Sequence, residues 1–272
     1  MRHSGRQKAD GRESDMVNLG SRIVNHWIYP VENGYVLIDT GYENGFAHFK
    51  KKLAKINIDL QQIRYIFLTH AHDDHAGYLN ELLSECADVQ IVMSSKALEG
   101  LYRGQNSFCG GCTTKLALCF CIFMKFVGKG RHLFPKLRQE YQGRCIQVHE
   151  QNRSQVEILL QGRIIETPGH TADSISLLRN DGSLFCGDAA MNGLPSLHRI
   201  TIWAEDKTAY LKSWETIIAL RPKIIYPGHG RPFGYGELIA NKNRAKNMKL
   251  LPLRSKRFAN KGYGAGKTDN TI

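Results

Sequence analysis

Most of the chemistry this chain can do is concentrated in one short run. After Thr69 the sequence reads His70-Ala71-His72-Asp73-Asp74-His75, three imidazoles and two carboxylates within six residues. Neutral imidazole is a good ligand for Zn²⁺ and similar ions, and a carboxylate adds charge compensation. Clustered His and Asp of this density mark a metal or catalytic site rather than a solvated loop. Three further groups stand in similar local settings. His170 lies in Thr167-Pro168-Gly169-His170-Thr171, Asp188 in Cys186-Gly187-Asp188, and His229 in Pro227-Gly228-His229-Gly230. Each alone reads as a loop residue beside glycine. Together they give four short apolar runs that each end in His or Asp.

The elements that would position these groups follow from periodicity. Residues 65–68 form a short buried strand that runs straight into the cluster. Residues 23–41 read as two strands joined at Asn33-Gly34, a hairpin signal. Phe46, Phe49, Leu53 and Ile56 have helical spacing. Residues 78–86 and 95–102 read as helices around a strand at 89–93. Further on, 156–160, 163–167, 174–178 and 183–186 read as strands, with Asp181-Gly182 turning between the last two. A helix at 207–220 and a strand at 223–226 follow. Strands interleaved with helices, some joined by hairpins, predict a mixed α/β protein with two sheets. Strand ends on one sheet edge converge on a crevice, the usual place for a ligand site.

With these residues in view, the chain resembles the metallo-β-lactamase superfamily. The H-x-H-x-D-H pattern of His70, His72, Asp74 and His75, then His170, Asp188 and His229, with Asp39 in Leu37-Ile38-Asp39-Thr40-Gly41, matches that family's five motifs in order. The resemblance implies a four-layer αβ/βα sandwich of two mixed β-sheets flanked by helices. It also implies two metal ions, by default Zn²⁺, with Mn²⁺ or Fe²⁺ as options. His70, His72 and His170 would hold the first ion, and Asp74, His75 and His229 the second. Asp188 would bridge them. Asp39 would hydrogen-bond beside the site and order its loop, since a metal-bound imidazole needs its other N–H satisfied. Read from its own residues, Asp39 is equally an Asp-Thr-Gly strand-end turn. Asp73 fills the variable position and is expected to be exposed.

The chemistry this implies is hydrolysis. Water held between two such ions loses a proton near neutral pH and becomes a nucleophile, while one ion polarises the substrate oxygen. Asp74 is the candidate catalytic residue, orienting that water or accepting its proton. The diiron oxygen reductases of the superfamily carry Glu at the second His of the pattern. His72 stands there instead, which favours hydrolysis over redox chemistry. The expected substrate is a small molecule with an ester, thioester, lactone or amide bond. A phosphodiesterase or ribonuclease of the same superfamily is the alternative. A non-catalytic metal-binding regulator is a third reading, disfavoured by the complete ligand set.

The remaining composition bears on surroundings. The chain has 272 residues, 42% of them hydrophobic and 23% charged, with a net charge of +12, which excludes a disordered or collagen-like protein. The charge is uneven. Residues 241–272 hold nine Lys+Arg and one acid, and residues 96–153 hold ten and three. Seven cysteines, an odd number in a long chain, argue against a secreted disulfide framework. With no secretory h-region and no transmembrane run, a cytoplasmic setting is expected. The expected organisation is a polar, disordered segment at 1–20, a catalytic domain at 21–236 with a lid-like insertion near 104–150, and a basic, solvated tail at 237–272. Nucleic-acid contact by that tail is possible but not favoured. In the insertion, Cys109, Cys112, Cys119 and Cys121 offer an awkward zinc spacing and read first as unliganded thiols. A helix near 115–127 is expected to pack Leu116, Phe120, Phe123 and Val127 over the core. Asn192, His198 and Trp203 are expected near the pocket rim, as loop anchors or, for Asn192 or His198, as oxyanion donors. Cys186 is expected to be a buried apolar residue.

Overall fold

The structure, a computed structural model, describes residues 16–253. Along the chain, β1 (Val17–Asn18), β2 (Trp27–Val31) and β3 (Gly34–Ile38) lead into α1 (Phe46–Lys55). Then come β4 (Ile63–Phe67), α2 (Leu79–Glu85), β5 (Gln90–Ser94) and α3 (Ala97–Arg103). The insertion holds β6 (Gly111–Cys112), α4 (Lys115–Phe126) and β7 (Cys145–Val148). The second half comprises α5 (Glu150–Leu160), β8 (Gly162–Glu166), β9 (Ile175–Arg179), β10 (Ser183–Gly187), β11 (Trp203–Ala204), α6 (Lys207–Leu220), β12 (Ile224–Pro227) and α7 (Gly236–Asn247).

Two sheets carry the molecule. The first has the order β1-β2-β3-β4-β5-β7 and the second β12-β10-β9-β8, with a small β11-β6 ladder beside them. The β2–β3 hairpin pairs Val31 with Gly34, and β3, β4, β5 and β7 run parallel. Period-two alternation sorts the side chains into layers. Leu37, Ile66, Ile91 and Met93 face α1, α2 and α3, while Val36, Ile38, Phe67 and Val92 face the second sheet. On that sheet, Leu177, Phe185 and Tyr226 point inward between the sheets. Leu184, Cys186 and Ile225 point outward to Tyr210, Trp214 and Ile217 of α6 and Leu238 of α7. The result is the expected αβ/βα sandwich, and the buried thiol of Cys186 is part of its outer core.

Four expectations need correction. Residues 156–160 are not a strand but the last turns of α5. Val156 and Leu160, four apart, bury one face, His149 and Asn152 form a capping box, and left-handed Gln161 ends the helix. Residues 17–18, inside the segment expected to be disordered, form β1 at the edge of the first sheet and pair with β2. The basic tail does not begin at 237. Residues 236–247 form α7, which buries Leu238 and Ala245 against the α6 layer. The expected packing of α4 also fails. Among its helical residues only Ala117 is fully buried, and Leu116, Phe120, Phe123 and Val127 are exposed. Residues 1–15 and 254–272 lie outside the described part.

Candidate metal centre

The ligand groups come from the carboxyl ends of strands in both sheets. His70, His72, Asp74 and His75 follow β4, His170 follows β8, Asp188 follows β10, and His229 follows β12. Where β4 ends, Leu68 still bonds across to Val92, and the chain then turns inward. The segment from His70 to His75 is compact, with the Ala76 amide donating to the His72 carbonyl at 2.8 Å. All seven groups meet. His70, His72 and His170 form one set whose ligand atoms lie within 4.8 Å of one another, Asp74, His75 and His229 form a second, and Asp188 joins His70 and His75 in a third.

The distances define a two-lobed cage. His170 Nε2 lies 3.1 Å from His72 Nδ1 and 3.6 Å from Asp188 Oδ2. His229 Nε2 is 3.0 Å from Asp74 Oδ2 and 3.5 Å from Asp188 Oδ2. His75 Nε2 is 3.6 Å from Asp188 Oδ1. Asp188 therefore reaches both lobes. Its Oδ1 and the Nε2 atoms of His70, His72 and His75 are buried and have no hydrogen-bond partner. Orphaned polar atoms are costly in a folded interior. Those of His70, His75 and Asp188 aim at one space, and His72 turns its Nδ1 there instead. That donor set fits one or two divalent cations of borderline softness.

The opposite ring nitrogens are tied down, which sets tautomer and direction. His75 Nδ1 lies 2.8 Å from Asp39 Oδ2, His170 Nδ1 2.8 Å from the Trp203 carbonyl, and His229 Nδ1 2.8 Å from the Ile23 carbonyl. His70 Nδ1 is 3.0 Å from Thr69 Oγ1. Asp39 does more than turn a strand end. Its Oδ1 accepts the Thr69 amide at 2.7 Å and its Oδ2 the Thr69 hydroxyl at 2.8 Å. To do so it adopts φ 58°, a left-handed conformation uncommon outside glycine. Gly228 leaves room for the cage. A Cβ there would lie 2.6 Å from both Asp188 Oδ1 and the His75 ring.

Electrostatics match the roles. Burial, reinforced by neighbouring imidazoles, drives His70 well below the usual histidine range and keeps it neutral. Burial and the His170 ring do the same to His72, against the pull of Asp74. For His75, burial is outweighed by Asp74, Asp39 and Asp188, which push it up to about 9. Burial would raise Asp74, yet His75 and His229 overcome it and hold the carboxyl well below its ordinary value. Asp188 is likewise depressed, burial being outweighed chiefly by His229 and His75.

Other residues fall differently from expectation. Asp73 is not exposed. It accepts hydrogen bonds from Asn106 Nδ2 at 2.7 Å and His132 Nδ1 at 3.3 Å, clamping the motif loop to the insertion. His198 is engaged by Arg244 of α7, whose guanidinium lies 2.8 Å from its Nε2, so that nitrogen accepts rather than donates. Asn192 is a loop anchor, its amide donating to the His229 carbonyl and its side chain to the Arg231 carbonyl. Trp203 anchors too, through the His170 contact and through Nε1 to the Cys109 carbonyl. Among the described residues, Cys109, Cys112, Cys119 and Cys121 form no group suited to a metal. Cys109 and Cys119 are exposed, while the Cys112 thiol is buried against that of Cys121. Sequence reasoning missed Tyr42, whose phenol is pushed up by burial and by the nearby charge of Asp74. It lies three residues after Asp39 in a loop with no periodicity, so no signal pointed to it. Also missed was the cleft of about 370 Å³ beside His72, lined by Lys96, Arg103, Ser107 and Asp173.

Comparison with known proteins agrees with this geometry. The family model of the metallo-beta-lactamase superfamily matches residues 19–229. The chain belongs to this superfamily. It is 31% identical over 227 residues to the beta-lactamase-like protein 2 homolog of Drosophila melanogaster, covering 79% of this chain and 63% of that protein. The homolog from Caenorhabditis elegans is 27% identical, over 72% of this chain and 52% of its own length. The chain thus spans less than two thirds of these two relatives. Among solved structures, the archaeal superfamily protein ST1585 from Sulfolobus tokodaii superposes with a TM-score of 0.56 at 21% identity, over 85% of this chain and 86% of that one. The family protein TTHA1429 from Thermus thermophilus reaches 0.61 at 17% identity, over 85% and 79%. At these identities the likeness speaks for the fold alone. Members of this family typically bind divalent metals, and the two lobes of this superfamily chain could hold them.

Proposed function

We propose that this protein is a dinuclear metal-dependent hydrolase, with zinc as the default metal, acting on an ester, thioester, lactone or amide bond of a small molecule. One observation carries the reading: seven His and Asp side chains from both sheets surround one buried space, with Nε2 of His70 and His75 and Oδ1 of Asp188 left without partners there. His70, His72 and His170 would hold one ion, Asp74, His75 and His229 the other, and Asp188 both. When bound, the ions supply Lewis acidity that polarises the substrate oxygen and activates water.

The chain's own groups do the rest. Asp74 is kept ionised by His75 and His229, so its carboxylate is available to accept a hydrogen bond from a water and orient it. Asp39 holds the His75 ring and the Thr69 backbone in place. The cleft beside His72 mixes both signs of charge, Lys96 and Arg103 with Glu99, Asp173 and Glu205, and Arg103 is paired with Glu99, which suits a polar substrate.

The test is metal analysis of the protein as purified, followed by hydrolysis assays on thioesters, lactones, aryl esters, β-lactams and bis-p-nitrophenyl phosphate. About two equivalents of metal and turnover of a carbonyl substrate are expected, and Asp74→Asn, which removes the charge of one ligand, should lower activity by about 10²-fold or more with metal content falling toward one equivalent. Turnover of the phosphodiester alone would favour the phosphodiesterase or ribonuclease reading, which the nine Lys+Arg of residues 241–272 support. Metal uptake with no turnover at all would sink both.

A further inference from the structure

Helix α4 is built inside out. Its only fully buried residue is Ala117, and the half-buried Cys121 and Met124 continue that inner stripe at helical spacing. The outer face carries Leu116, Phe120, Ile122, Phe123 and Phe126, with Val127 just beyond, all exposed, and Phe126 retains 88% of its accessible surface. A contiguous apolar face of this kind on a folded domain marks an interaction surface. The charge around it is one-sided. Residues 100–139 contain seven Lys+Arg and no Asp or Glu, and Lys115, Lys125, Lys129 and Arg131 flank the apolar face. No described helix is long and apolar enough to cross a membrane, and α4 has only 12 residues.

We propose that α4 and the loop after it form a docking surface for an anionic phospholipid bilayer, lying in the plane of the headgroups. Ile122, Phe123 and Phe126 enter the acyl boundary, and the flanking lysines and arginine pair with lipid phosphates and carboxylates. Charge decides against the other occupants. A second copy would set two surfaces of like charge face to face. The described part ends shortly after Leu251, which pairs with Cys112 at the foot of α4. The chain's own C-terminal segment, 254–272, carries five Lys+Arg and one acid and would repel the face rather than cover it. A nucleic acid would satisfy the cations but leave the protruding apolar side chains in water. The surface adjoins the metal centre, since β6 pairs with β11, whose Trp203 carbonyl holds His170. Docking is independent of the hydrolase reading, because it rests on α4 alone.

The experiment is co-sedimentation of the full chain with phosphatidylcholine vesicles and with phosphatidylcholine/phosphatidylserine vesicles, at low and high salt. The parent should bind the phosphatidylserine vesicles, more weakly at high salt and on neutral lipid. The double variant Phe123→Ser/Phe126→Ser should bind about tenfold more weakly, with metal content unchanged, because both rings are already outside the core. Lys125→Gln/Lys129→Gln should weaken binding with a smaller salt dependence. Absence of vesicle binding by the parent, or equal binding by both double variants, overturns the proposal. So does a parent that ignores vesicles but self-associates, or binds a single-stranded oligonucleotide, through the same phenylalanines.

Discussion

Single residues here work in pairs, one holding a site and another holding the holder. Asp39 is the clearest case. Its carboxylate grips the His75 ring, the Thr69 amide and the Thr69 hydroxyl from a left-handed backbone. Asp39→Asn keeps the shape and removes the charge, so metal affinity should fall about 10- to 100-fold, measurable by chelator competition. Asp39 also shares, after Asp74, in setting a pH dependence. In the metal-free protein the surrounding carboxylates raise His75 from its ordinary 6.5 to about 9, so it is protonated at neutral pH. Their stabilisation of the imidazolium is fully present below 6.5 and is lost as pH rises through about 9. A metal ligand must be neutral, so binding expels that proton and the one Asp188 and Asp74 hold on His229, which is likewise raised well above its ordinary value, and affinity should climb with pH through neutrality and up to at least about 9. A flat affinity across that range would show that the carboxylates do not control His75. The His70–His75 cluster was legible in the sequence because imidazoles and carboxylates have few other reasons to cluster, whereas His170, Asp188 and His229 stand alone and were reached through the family resemblance. Tyr42 was not legible, since an aromatic in a loop carries no spacing signal.

Secondary elements matter through where they end. Each ligand-bearing loop begins as a strand leaves its sheet, and backbone contacts at those exits set the cage size. The Gly228 amide donates to the Gly187 carbonyl at 2.8 Å, bringing the ends of β10 and β12 together. Gly228→Ala would put a methyl 2.6 Å from Asp188 Oδ1 and the His75 ring, both fixed by other contacts. We expect a destabilisation of roughly 1–3 kcal/mol in denaturant titrations, together with loss of bound metal. Helix α5 shows where element reading goes astray. Val-Glu-Ile-Leu-Leu at 156–160 looks like a strand in isolation, because short apolar runs have no distinguishing period. The His149–Asn152 capping box upstream decides for a helix, and it involves residue types seldom read as a cap start. Helix α4 was legible as a helix but not in its placement. Hydrophobicity says that a face wants to leave water, not that this chain provides the cover.

At the scale of the molecule, the metal centre lies at the seam between two sheets, so filling it should tie the halves together. Chelation should therefore lower the unfolding temperature. At a free metal concentration of about 100 times Kd, each site contributes about 2.7 kcal/mol, or roughly 5–10 °C in a domain of this size. Scanning calorimetry with and without chelator tests this, and identical melting curves would mean the seam is held without metal. The basic C-terminal segment belongs at this scale too. Since α7 packs on α6 through Leu238, shortening the chain must begin after Leu253. Removal of 254–272 should leave hydrolysis of a small ester intact, and its loss would place that segment in the active machinery. By itself the sequence determined a mixed α/β protein with two sheets and the His70–His75 cluster, because strand and helix periodicity and clustered ligand chemistry are local patterns read within a few residues, while the layer order and the full set of seven groups followed from its resemblance to the metallo-β-lactamase superfamily. Only the tertiary structure decided that His170 and His229 meet the His70–His75 loop, that Asp73 turns to His132 and Asn106, that His198 faces α7, and that the phenylalanines of α4 face outward. Those outcomes depend on which distant surfaces come together, and no local pattern encodes that.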